Sequence, residues 1–292
     1  MDAFLNQVFA GLATGGIYAS VALALVMIYQ ATHLVNFAQG ELAMFCTYLA
    51  WTLINAGFGY WPAFLLTVGL AFVLGVVIER VVIRPVENSP VLAVVVVFIG
   101  LLVIFNSIAG WIYTYTIKTF PSPFPEKPFF GNKLMSSHEM GAIGVTLIVL
   151  LLLYAFFRFT PLGLAMRAAA QNPASAKLVG IRVGWMLALG WGLASMLGAL
   201  SGLMVAPIVF LDPNMMQTVL IYAFAAAVLG GLESPAGAVI GGVLLGVFLN
   251  LVGQYVHFVT SELRLPVAFA VLLIVLVVKP TGLLGRRQVR RV

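Results

Sequence analysis

Charge is what this chain has least of. Only 8% of its 292 residues are charged while 62% are hydrophobic, against roughly 25% charged in soluble domains. A chain this apolar has too little polar surface to coat a water-soluble core, so the composition points to membrane. Cysteine is reduced to Cys46, which excludes a disulfide within one chain. The histidines, His33, His138 and His257, are scattered without the paired spacing of a metal site. A Gly-x-x-x-x-Gly-Lys-Ser/Thr phosphate loop is missing, as is any serine or cysteine nucleophile motif. The chain is therefore expected to hold no metal or cofactor, to have no catalytic residue, and to hydrolyse no nucleotide itself. Asp2 stands where a secretory signal carries basic residues, and no small-residue cleavage site follows, so a cleaved leader is not expected. A pI near 9.6 would suggest a nucleic-acid partner in a soluble protein, but here the placement of the basic residues explains it better.

What is present is a succession of apolar runs: Val8–Tyr29, Leu34–Asn55, Trp61–Ile83, Val91–Tyr113, Met140–Phe157, Trp185–Val209, Val219–Leu232, Ala236–His257 and Leu265–Val278. A bilayer core needs about 20 helical residues. Val219–Leu232 falls short and reads as a half-span turning at Gly230-Gly231. The expectation is an all-α polytopic bundle of eight or nine spans, with residues 1–292 forming one membrane domain. Gly11/Gly15, Gly198/Gly202, Gly237/Gly241 and Gly242/Gly246 are spaced four apart inside these runs. That spacing lets helix backbones approach closely in lipid and serves an intrachain bundle or a dimer face equally.

Lysine and arginine set the orientation. The segments 79–90, 158–184 and 279–292 hold 11 of the 15, placing all three in the cytoplasm. With nine crossings the N-terminus faces outward. The closing Arg286, Arg287, Arg290 and Arg291 read as a topology anchor. The segment Pro121–Pro128, on the other side, reads as a stiff lid over the helix ends, against the alternative of a contact surface for an extracellular partner.

Between two spans, Arg158–Gly184 is a basic island with the grammar of two short helices. Thr160-Pro161 and Asn172-Pro173 each place a capping side chain before a proline at the first helical position. Gly180 sits where a left-handed helix stop is cheapest. Ala174 and Leu178 lie one turn apart and give a narrow apolar face, with Lys177 pointing elsewhere. The small-residue run reads as a docking helix, against the alternative of a solvated loop that only sets topology.

Polar residues within the runs are costly in hydrocarbon and so face the interior, a partner or a watery path. Asn36, Gln39 and Glu41 cluster at the start of the second run, either as a gate or helix break at the cytoplasmic mouth or as a capped helix start. Asn106 and Ser107 lie deeper, as do Asn250 and Gln254, which share one helix face. These line a path or act as interior hydrogen-bond glue. No carboxylate stands in mid-span, which argues against a proton- or sodium-coupled carrier.

The stretch Gly163-Leu164-Ala165-Met166-Arg167-Ala168-Ala169-Ala170-Gln171-Asn172-Pro173, on to Gly180-Ile181, resembles the cytoplasmic coupling loop of permease subunits in bacterial branched-chain amino acid ABC importers. Asn36–Glu41 and Ala227–Gly237 resemble two further motifs of that family, and the similarity runs in order along nearly the whole chain. The resemblance implies a pairing with a second related permease in the bacterial inner membrane, among membrane lipid. It also implies two cytoplasmic ATPases, which bind the ATP and Mg, and an outer solute-binding protein. It assigns ATPase coupling to Arg167, Ala174, Ser175, Ala176, Lys177, Leu178 and Gly180. The implied path runs between the two permeases with Asn36, Gln39 and Glu41 near its inner end, and Asn106, Asn250 and Gln254 are further candidates for it from their place in the runs. The general Glu-Ala-Ala…Gly coupling signature reads here as Ala174, Ser175, Ala176 and Gly180, without the glutamate. Glu233 stands where similar permeases often carry a small residue. Related importers carry urea, short amides or other amino acids on the same scaffold. An ion-coupled carrier and a membrane scaffold are the rival classes.

Overall fold

The computed structural model describes residues 2–32, 34–87, 89–125, 136–256 and 258–285. Eleven helices are found among them: α1 (Asp2–Thr32), α2 (Gln39–Asn55), α3 (Tyr60–Ile78), α4 (Val91–Tyr113), α5 (Ser137–Phe159), α6 (Pro161–Gln171), α7 (Pro173–Leu178), α8 (Val183–Val209), α9 (Met215–Gly230), α10 (Pro235–Tyr255) and α11 (Arg264–Val278). A π-helical turn, Glu79–Ile83, and a 3-10 turn, Arg84–Val86, prolong α3. The described residues contain no strand, only an isolated bridge between Lys118 and Leu211.

By length and composition, six helices can cross a membrane: α1, α3 with its extension, α4, α5, α8 and α10. The remaining apolar segments are shorter, at 17, 16 and 15 residues for α2, α9 and α11. The run Leu34–Asn55, expected to be a single span, is not a continuous helix. Asn36 Oδ1 accepts the Ala38 backbone N–H at 3.0 Å, a local turn that competes with helix and delays its start to Gln39. The half-span read at Val219–Leu232 is α9, which ends at Gly230 with Gly231 at φ 107°. Leu283 and Leu284 donate to the Leu229 and Gly230 carbonyls at 2.8 and 3.0 Å, closing that helix end.

Burial separates an inner from an outer set of helices. The apolar windows of α1 and α8 are 78% and 72% buried, those of α4 and α5 only 22% and 17%. Apolar side chains on α4 and α5, such as Leu92, Trp111, Leu147 and Leu152, are left on the outside, as expected of helices facing lipid or another membrane chain.

The glycine pairs join helices of this chain. Gly11 and Gly15 of α1 lie on α10, where a Cβ on Gly11 would sit 2.6 Å from Val247 Cα. Gly242 and Gly246 answer them, against the Ala19 and Gly15 backbones. Gly198 and Gly202 lie on α2, and Gly237 and Gly241 on α9. Gly246→Leu is therefore expected to destabilise the bundle by about 1–3 kcal/mol or more, since the obstacle is backbone and cannot swing aside. Thermal unfolding in detergent checks this; an unchanged melting temperature would mean that α1 and α10 are not in backbone contact.

Candidate functional site

The cluster begins where α2 begins. Asn36 Nδ2 reaches Gln39 Oε1 at 3.5 Å, and Gln39 Nε2 donates to the Ala194 carbonyl of α8 at 2.9 Å. Gly198 leaves room for that amide, because a Cβ there would lie 2.6 Å from Gln39 Nε2. Two residues on, Glu41 Oε2 accepts from Asn106 Nδ2 of α4 at 3.3 Å. The same amide donates to the Pro213 carbonyl and to Asn214 Oδ1, at 3.0 and 3.2 Å. Tyr115 donates its hydroxyl to Asn106 Oδ1 at 3.1 Å, and Gln217 donates to Asn214 Oδ1 at 3.0 Å. Asp212 caps the turn into α9 through the Asn214 N–H at 2.7 Å.

This cluster is not at the mouth of the bundle. At 1.5 Å per residue, Ala194 lies about 16 Å along α8, a helix about 40 Å long, and Asn106 about 22 Å along α4. Gln39 and Glu41 thus stand level with the middle of α8 and α4. The delayed start of α2 is what carries them there.

Asn36, Gln39 and Glu41 are buried, whereas Asn214 and Gln217 are exposed on the surface of the chain. Among the described residues the one ion pair joins Arg80 to Glu79, so the Glu41 carboxylate meets amides and no cation. A charge held this way is expensive, and exposed amides at this depth call for water or a polar partner.

The basic island folds as its sequence grammar predicts. Thr160 Oγ1 accepts the Gly163 N–H and Asn172 Oδ1 the Ser175 N–H, both at 3.0 Å, and Gly180 has φ +83°. Ala176 is buried against Ala169 and Val183, so it belongs to the joint of α6, α7 and α8 and not to an exposed knob. Leu178 and Val179 are the outward apolar tip, 89% and 76% exposed. Arg167, Ala174, Ser175, Lys177 and Gly180 are exposed as well.

The profile of the family described as the permease component of the branched-chain amino acid transport system matches residues 7–276. The chain belongs to this family. It is 32% identical to the high-affinity branched-chain amino acid transport system permease protein LivH of Salmonella typhimurium, over 99% of this chain and 98% of that one. It shows the same identity and coverage with the permease protein BraD of Pseudomonas aeruginosa. A probable branched-chain amino acid transport permease protein LivH of Methanocaldococcus jannaschii is 30% identical over 80% of this chain and 76% of its own length.

The other path candidates of this permease are not brought to the cluster. Asn250 Nδ2 donates to Thr14 Oγ1 and to the Gly246 carbonyl at 3.0 and 2.9 Å, tying α10 to α1. Gln254 is exposed and accepts from Gln7 at 3.4 Å. His138 bonds the Met204 carbonyl and Ser122 Oγ. His33, His257, the arginines after Gly285 and residues 126–128 of the proline-rich segment lie outside the described residues. Sequence reasoning missed Tyr115, Asp212, Asn214 and Gln217. The signal was the Asp212-Pro213-Asn214 turn, which places three polar or turn-forming residues between two apolar runs.

Proposed function

We propose that the chain is one of two paired permease subunits of an ATP-driven importer for branched-chain amino acids in the bacterial inner membrane. Its partners are a second related permease, two cytoplasmic ATPases that bind ATP and Mg, and an outer solute-binding protein. All nine apolar helices cross or enter the bilayer, with the N-terminus outside and α6–α7 in the cytoplasm. The excess of lysine and arginine at the α6–α7 end supports that orientation. The relatives' substrate and full-length coverage support the choice of solute.

The observation that carries the path is the buried, cation-free Glu41 at mid-depth, joined through Asn106 to exposed Asn214 and Gln217. This face lines the path with the second permease opposite. The Glu41 carboxylate meets the ammonium end of a zwitterionic solute, the amides bridge to its carboxylate, and the apolar helix surfaces around them pass the aliphatic side chain. For coupling, the tip Leu178-Val179 docks on an ATPase. Movement of α7 passes through the Ala176 joint into α8, and α8 carries it to Gln39 at the break before α2. Access then switches between the two sides.

The mid-depth position of Glu41 removes the sequence-based argument against an ion-coupled carrier, so that rival needs a direct test. The complex is reconstituted in vesicles with its ATPases and binding protein, and labelled leucine uptake is followed. Uptake that demands ATP and both partners is expected. Uptake driven by a proton or sodium gradient without ATP would replace this reading by the carrier, and no uptake under any condition would leave a scaffold. Competition by urea or short amides in the same assay identifies an importer of those solutes instead.

A further inference from the structure

The joint between α7 and α8 carries a basic, largely apolar groove that the transport reading leaves unused. Arg182 is the exposed N-cap residue of α8. Arg80 lays its guanidinium over the Trp185 ring at 3.8 Å, with Nε and Nη2 hydrogen-bonded to nothing among the described residues. Its anionic neighbour, Glu79 Oε2, stands at 3.6 Å, beyond good hydrogen-bonding distance. Arg84 packs its guanidinium on Gly184, where a Cβ would lie 2.9 Å from Nη2. The guanidiniums of Arg80 and Arg84 thus lie against Trp185 and Gly184, next to Arg182 at the positive end of a 27-residue helix. The acids on the neighbouring element are Glu79, which offsets part of the Arg80 charge from 3.6 Å, and the exposed Glu87. Beside the arginines runs a groove of about 390 Å³, lined by Ala165, Ile181, Arg182, Trp185, Met186 and Leu189.

We propose that this groove holds an anionic phospholipid, its phosphate on Arg182 beside the Arg80–Trp185 stack and its acyl chain along Ala165, Met186 and Leu189. Charge complementarity selects an anionic head group. The exposed Arg182, the arginine that lines the groove, offers guanidinium donors that match phosphate oxygens. The apolar lining selects an acyl chain over a free phosphate, and the half-exposed Trp185 suits the membrane–water boundary. The placement rests on the α6–α7 end lying at the cytoplasmic surface. A lipid seated there braces the Val179–Arg182 link, so that displacement of α7 moves α8 as a rod.

The test uses the complex purified with its partner subunits after equilibration with phosphatidylglycerol or phosphatidylcholine, with retained lipid counted by native mass spectrometry. The wild type is expected to retain phosphatidylglycerol in preference. Arg182→Gln is expected to lower that retention about five-fold, the worth of about one arginine at a charged membrane surface. Ala165→Trp fills the groove but leaves every arginine in place, and is expected to lower retention as well, with the ATPases still bound. Equal retention in all three proteins overturns the proposal. So does loss of the ATPases with lipid retained, which would make the groove a protein contact. Failure of the importer reading registers separately, as absence of any nucleotide-hydrolysing partner whatever the lipid result.

Discussion

Glu41→Gln is expected to slow ATP-driven uptake about ten- to a hundred-fold, the range of one charge-assisted contact to the solute, while making the chain harder to unfold. The two effects have opposite signs for one reason. A carboxylate buried among amides, with no cation beside it, costs stability, and on the proposed path it meets the solute. Glutamine keeps the shape and can still bond Asn106, so the packing of α2 on α4 survives. Removing about 1 kcal/mol of buried-charge cost raises Tm by about 2–4 °C in a chain of this size. The checks are initial uptake rates in vesicles and thermal unfolding in detergent. Unchanged uptake would take Glu41 out of the mechanism, and a lowered Tm would show that its charge is compensated.

The second large effect concerns the tip of α7. Leu178→Asp alters a side chain that is 89% exposed, so the isolated chain is expected to fold and insert as before. An apolar anchor at the centre of a docking surface is worth about 2 kcal/mol or more, so ATPase association is expected to weaken about thirty-fold. Ala176→Asp is expected to abolish coupling by a different route, burying a charge in the α6–α7–α8 joint and lowering stability as well. ATPase co-purification together with Tm separates the two. Wild-type ATPase binding in Leu178→Asp would exclude the tip as the docking surface.

Which parts of this were legible depends on the range of the interactions involved. The caps Thr160 and Asn172, the stop at Gly180 and the turn at Gly230-Gly231 could be read because each is decided within three or four residues. The apolar runs located the long helices for the same reason, since length and hydropathy are local properties. The Glu41 cluster was only half legible. Its polar residues stood out against hydrocarbon, but Asn106, Asn214 and Gln217 are far from Glu41 in sequence, and nothing local announces their meeting.

The sequence alone determined that this chain is a multi-pass membrane protein, which family it resembles, and where its basic island folds into two capped helices. Composition, charge placement and capping chemistry act over a few residues and need no partner. Only the tertiary structure decided that the glycine pairs join helices within the chain, that Ala176 is inside the joint and Leu178 outside it, and that Glu41 stands at mid-depth. Those outcomes depend on how helices distant in the chain pack side by side in three dimensions. The same four-residue glycine spacing, or the same buried acid, is compatible with several arrangements until the backbones are brought into contact.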